Sequence, residues 1–114
     1  MIDPQNALLA RIADALERLA PAAPTPPDFS GARLFRHDCA RDAFLAAPDY
    51  PMPLDLLVGV ERQKERLVEN LTRFAGGLPC NHVLLWGVRG TGKSSMTKAA
   101  FMAVSAEHAA LKLV

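Results

Sequence analysis

The run Gly87-Val88-Arg89-Gly90-Thr91-Gly92-Lys93-Ser94 leaves this chain few folds to choose from. Its glycines, lysine and hydroxyl stand at the spacing of a phosphate-gripping loop, and such a loop works where a strand ends and a helix begins. The residues on either side fit that demand. Val83 to Trp86 is a short unbroken apolar run, which predicts a buried parallel strand with Trp86 in the sheet core. From Lys93 onward, Met96, Ala99, Ala100, Ala103 and Val104 recur at helical spacing.

The chemistry of the loop follows from its residue types. Gly87, Gly90 and Gly92 lack Cβ atoms, so the backbone can turn tightly and aim its N–H groups at an anion. Lys93 offers a compact charge to the β- and γ-phosphates of a nucleotide, and the Ser94 hydroxyl can take a Mg²⁺ coordination position. Val88, Thr91 and Ser95 serve through their place in the loop, Thr91 through its backbone N–H, and Arg89 reads as a solvated loop residue. The expected ligand is a nucleotide phosphate, and the candidate contacts are residues 87–95.

Away from the loop, Asp3 and Pro4 predict a helix start, and Leu8, Leu9, Ile12, Leu16 and Leu19 form one apolar stripe ending at Pro21. The expectation is an amphipathic helix docking on its own domain, with a partner-binding or oligomerising helix as the alternative. Pro21 to Pro27 is a proline-rich linker biased to extended geometry. Within 28–57, Ala32 to Phe35 suggests a short strand and Ala40 to Ala47 a short helix, before Pro48, Pro51 and Pro53 force an irregular crossing. Val60, Leu67, Val68, Leu71, Phe74 and Ala75 predict a longer helix, stopped by Gly76-Gly77 and Pro79. Leu111 to Val114 reads as the opening of another strand.

Charge and thiols bound the class of protein. Net charge is +1, which does not indicate nucleic acid or a membrane surface as partner. No run approaches the ~18 apolar residues of a membrane span, and Met1-Ile2-Asp3-Pro4 lacks the features of a secretory signal. Cys39 and Cys80 match no metal or redox spacing and fit a reducing compartment, so a cytoplasmic location is expected. His37, His82 and His108 have no partner spacing that would suggest ligation or catalysis. Glu61, Glu65 and Glu69 along one helix edge read as a solvated face. Leu57-Val58-Gly59-Val60 could form a slot for an adenine ring, although by itself it reads as a buried apolar turn.

From Leu57 to Ala100 the chain resembles uncharacterised bacterial AAA+ ATPases grouped as domain of unknown function 815. The resemblance is carried by Leu57-Val58-Gly59-Val60-Glu61-Arg62-Gln63-Lys64, Glu69-Asn70, Phe74, and the stretch from Leu78 through Trp86 into Gly87–Ser95. Cys80 and His82 depart from the residues usual beside that strand. The resemblance implies an AAA+ fold that binds ATP with Mg²⁺, and it places Val58, Gly59 and Val60 beside the adenine. It also implies an acidic metal-binding strand, a sensor strand, an arginine finger and a helical lid, none of which can be placed among these residues. The only acid after the loop is Glu107, inside the predicted helix.

The expectation is therefore an α/β fold: a truncated, AAA+-like P-loop NTPase with an incomplete parallel sheet. An N-terminal helix (1–20) and a proline-rich, irregular region (21–56) precede the ATPase domain proper (57–114). Its expected role is ATP binding as the N-terminal part of an ATPase, with the chain alone a poor hydrolase and no catalytic residue identifiable. A P-loop small-molecule kinase and a nucleotide-gated interaction module are the alternatives. A homo-oligomer of the longer form and an unidentified protein remain open as partners.

Overall fold

The structure, a computed structural model, describes residues 3–114, so Met1 and Ile2 of the first segment lie outside the described residues. Helix α1 spans Pro4–Leu19 and begins as its residues dictate. The Asp3 carboxylate accepts the Gln5 N–H at 3.1 Å, and Pro4 stands where a missing N–H costs nothing. The stripe, however, covers nothing: Leu8, Leu9, Ile12, Leu16 and Leu19 are all at least 53% exposed. The expectation that α1 docks on its own domain is thus corrected. The prolines at 21, 24, 26 and 27 follow without regular structure and lead the chain away from the helix.

Strands β1 (Leu34–Asp38) and β2 (Ala43–Ala47) form an antiparallel hairpin, with Leu34 opposite Ala47 and Asp38 opposite Ala43. The expected strand at 32–35 is present, displaced toward the turn. The expected helix at 40–47 is not, because two features overrule alanine's helical preference. Asp38 starts a chain reversal: its carboxylate accepts the Ala40 N–H at 3.0 Å and its carbonyl accepts the Arg41 N–H at 3.2 Å. Beyond the turn, Ala43, Leu45 and Ala47 alternate with the more exposed Phe44 and Ala46, the period of a strand with one covered face.

At the far end, the Phe35 N–H donates to the Leu113 carbonyl at 2.8 Å and the Leu113 N–H donates to the Arg33 carbonyl at 3.1 Å. The expected strand near 111–114 thus takes the form of a single parallel bridge between Leu113 and Leu34. Val83 to Trp86 departs from expectation altogether. Among the described residues it joins no ladder, and Leu84 and Trp86 are 82% and 86% exposed, so the buried-strand and sheet-core readings are corrected. A strand exists only through its paired neighbours, and no described strand pairs with this run, although Leu85 packs on the Leu67, Met96 and Ala100 cluster. The approach to it is held instead by α2. Asn70 and Asn81 exchange two hydrogen bonds at 2.7 and 2.9 Å, and the Arg73 Nε donates to the Pro79 carbonyl at 2.8 Å.

Helix α2 spans Glu61–Ala75 and ends as the Gly76-Gly77 pair predicts. Gly77 takes φ +71, and the Leu78 and Gly77 N–H groups donate to the Arg73 and Phe74 carbonyls at 2.9 and 3.0 Å, which satisfies the last carbonyls of the helix. Helix α3 (Lys93–Ser105) packs against it. Two apolar clusters make the core: Leu34, Phe101, Val104 and Leu111 at the hairpin end, and Leu67, Met96 and Ala100 nearer the loop. Ala100 is almost wholly buried beside Leu67, and its small size allows α2 to lie close to α3. The hairpin is tied down by Arg33, which pairs with Asp49 and donates to Ser105 Oγ at 3.4 Å.

Candidate functional site

The loop between Trp86 and α3 is built from backbone conformations that only glycine adopts freely. Gly87, Gly90 and Gly92 have φ of +150°, +86° and +85°. At Gly87 a close approach adds a second constraint, since a Cβ there would lie 3.3 Å from Thr91 Oγ1. That hydroxyl donates to the Val88 carbonyl at 2.8 Å and so closes the loop on itself.

Lys93 opens α3 and folds back over the loop. Its Nζ donates to the Gly87 and Val88 carbonyls at 2.9 and 2.8 Å, and lies 3.4 Å from Thr91 Oγ1. Gly92 precedes the helix in a left-handed conformation, and no side chain caps the helix start. The N–H groups of the first turn lack intrahelical acceptors, and the positive end of the helix dipole adds to the lysine charge. Donors and charge of one sign therefore converge on an exposed loop, an arrangement suited to phosphate oxygens. Ser94 is exposed at the same place, Ser95 is half-buried, and Arg89 is solvated as expected. Among the described residues no group of three His, Cys, Asp or Glu side chains could hold a metal. The Ser94 hydroxyl suits a Mg²⁺ whose other ligands are phosphate oxygens and water.

The second predicted component, Val58, Gly59 and Val60, directly follows Leu57, which the fold brings to the loop. A 3₁₀ turn at Leu54–Leu56 leads into it, and Leu57 Cδ2 lies 3.7 Å from where a Cβ on Gly92 would stand. Gly59 takes φ +84°, Val58 is 83% exposed, and Val60 packs against the Leu67 cluster. The turn is pinned from α2 by Lys64 and by Glu61, the latter read from the sequence as part of a solvated face. Lys64 Nζ donates to the Leu57 carbonyl at 2.6 Å, and Glu61 Oε1 accepts the Gly59 N–H at 3.1 Å. The Glu61 carboxyl is held below its ordinary value by its own backbone N–H first, then by that of Gly59, with Lys64 adding to it. Lys64 positions this turn, a role that sequence reasoning missed. Its position one turn into a helix, behind an apolar turn with free carbonyls, was the available signal.

With this geometry in place, the comparisons with known proteins are brief. Residues 31–114 match the family described as Protein of unknown function (DUF815), and the chain belongs to that family. No curated protein and no solved structure matches the chain. The hairpin, α2, the loop and α3 lie inside the matched segment, and α1 lies outside it. Among the described residues, no helix is long and apolar enough to cross a membrane.

Proposed function

We propose that this chain binds ATP together with Mg²⁺, as part of an AAA+-type P-loop ATPase working in the cytoplasm. The observation that carries the reading is the convergence at residues 87–95. The Lys93 ammonium, held on the Gly87 and Val88 carbonyls, belongs to the first residue of the uncapped helix α3, so both sources of positive potential belong to the one loop. On this reading the backbone N–H groups of the loop and of the first turn of α3 take the phosphate oxygens. Lys93 exchanges its carbonyl partners for the β- and γ-phosphates, and Ser94 takes one position on the metal. The bound metal would supply charge neutralisation on the phosphates. Val58, Gly59 and Val60 border the adenine, a reading supported by the place of the preceding Leu57, whose Cδ2 lies 3.7 Å from where a Cβ on Gly92 would stand.

These residues hold a triphosphate; no carboxylate or amide on the loop would orient a water for attack. The test is equilibrium titration of the full chain with ATP in the presence of Mg²⁺, beside adenosine. Lys93→Ala is expected to weaken ATP about 10- to 100-fold, roughly 1.4–2.8 kcal/mol, while leaving adenosine unchanged. Absence of saturable ATP binding by the unaltered chain, or equal ATP affinity in Lys93→Ala, sinks the proposal.

A further inference from the structure

The turn of the β1–β2 hairpin gathers three side chains that the loop does not use: an imidazole, a thiol and a carboxylate. His37 stands near the end of β1, Cys39 opens the turn, and Asp42 closes it. His37 Nε2 lies 3.0 Å from Asp42 Oδ1, and Cys39 Sγ lies 3.6 Å from His37 Nδ1. The reversal begun by Asp38 and the left-handed backbone of Asp42, at φ +46°, bring the carboxylate back to the ring. The ring is also backed by aromatic side chains. Its centroid is 5.1 Å from that of Phe44, which in turn meets Phe29 edge-on at 5.3 Å.

This order of groups has a chemical consequence. An ionised Asp42 accepts the Nε2–H, which fixes the tautomer and leaves the Nδ1 lone pair facing the thiol. A nucleophile beside a base that is itself oriented by a third group is the arrangement that activates thiols. The site is open to small reactants, since Cys39 is exposed and the His37 and Asp42 side chains are 41% and 96% exposed. Arg41 on the same turn is paired with Asp38 at 3.8 Å, so the turn presents no excess of one charge to a reactant. Cys80 is an internal reference: it too is exposed and free, and among the described residues no imidazole or carboxylate is hydrogen-bonded to it.

We propose that Cys39 is a nucleophilic thiol, primed by His37 and oriented through Asp42, that exchanges with small disulfides to give a mixed disulfide on the protein. The Cys39 proton passes to His37 Nδ1, and Sγ attacks one sulfur of the disulfide. A new S–S bond forms as the old one breaks, and the departing thiolate takes the proton from His37. One disulfide is replaced by another, with no further oxidant, and excess thiol reverses the step.

The experiment treats the full chain with glutathione disulfide at neutral pH and follows modification of Cys39 and Cys80 by mass spectrometry of their peptides. Cys39 is expected to react about tenfold faster than Cys80 or more. His37→Gln and Asp42→Asn should each pull that ratio toward one while leaving the Cys80 rate alone. Should His37→Gln disturb the hairpin, Asp42→Asn reads the same relay through a side chain that is 96% exposed. Equal rates at the two cysteines in the unaltered chain, or a ratio undiminished in both variants, overturns the assignment.

Discussion

Replacing Gly92 by alanine isolates what the left-handed entry into α3 demands of this chain. Gly92 sits at φ +85°, ψ +16°, a region that costs a residue with a side chain about 1–2 kcal/mol. Space is not the difficulty, because the new Cβ would meet Leu57 Cδ2 at an ordinary 3.7 Å. An opposing term comes from the unfolded chain, which alanine restricts, worth about 0.4–1 kcal/mol in favour of the folded state. Gly31→Ala separates the two. No atom lies within 4 Å of a Cβ there, and Gly31 is not among the glycines at positive φ. Both variants share the unfolded-state gain, and only Gly92→Ala meets the left-handed penalty. Gly92→Ala should therefore be the less stable of the two by about 1–2 kcal/mol, a melting temperature lower by about 5–10 °C in a chain of this size. Thermal unfolding followed by far-ultraviolet circular dichroism reads this difference directly. Equal melting temperatures would refute the reasoning, since the loop would then have no need of the conformation only glycine adopts freely.

Three other expectations test separate parts of the fold. Leu67, 6% exposed between α2 and α3, should cost about 2–5 kcal/mol when cut to alanine, seen as a lower denaturant midpoint; a loss under about 1 kcal/mol would mean the helices are not packed through it. The Asp49 carboxyl is held below its ordinary value chiefly by the Arg33 hydrogen bond, so its contribution is complete above the unfolded-state value and fades as pH falls through the lower folded one. The melting-temperature gap between the unaltered chain and Asp49→Asn should accordingly hold steady above about pH 4 and close below it, and a gap still undiminished at about pH 2 contradicts the pairing. Deleting residues 3–20 should remove helical signal yet leave the melting temperature within about 1 °C, because α1 buries no residue; a larger drop would show the stripe is covered after all.

The helices of this protein were legible residue by residue because their determinants are local. Asp3 and Pro4 start α1, Gly77 ends α2 by taking the left-handed cap, and Gly92 opens α3. The loop was legible for the same reason: three glycines at fixed spacing state which backbone positions must take positive φ. The β structure was harder to read. Ala43–Ala47 has the composition of a helix and becomes a strand because Asp38 turns the chain back onto β1. Val83–Trp86 has the composition of a buried strand, yet among the described elements it has no neighbour to bond with.

What the sequence determined by itself is therefore the set of local commitments: where helices start and stop, and a loop able to present N–H groups and one lysine charge. Only the tertiary structure decided which residues from distant segments meet. It brought Leu57 near Gly92, placed Lys64 as the clamp of the 54–57 turn, and joined His37 to both Cys39 and Asp42. The physical reason is that caps and glycine conformations are settled by bonds within a few residues. Strand pairing and side-chain meetings depend on where the folded chain brings its other parts, which no short stretch of sequence encodes.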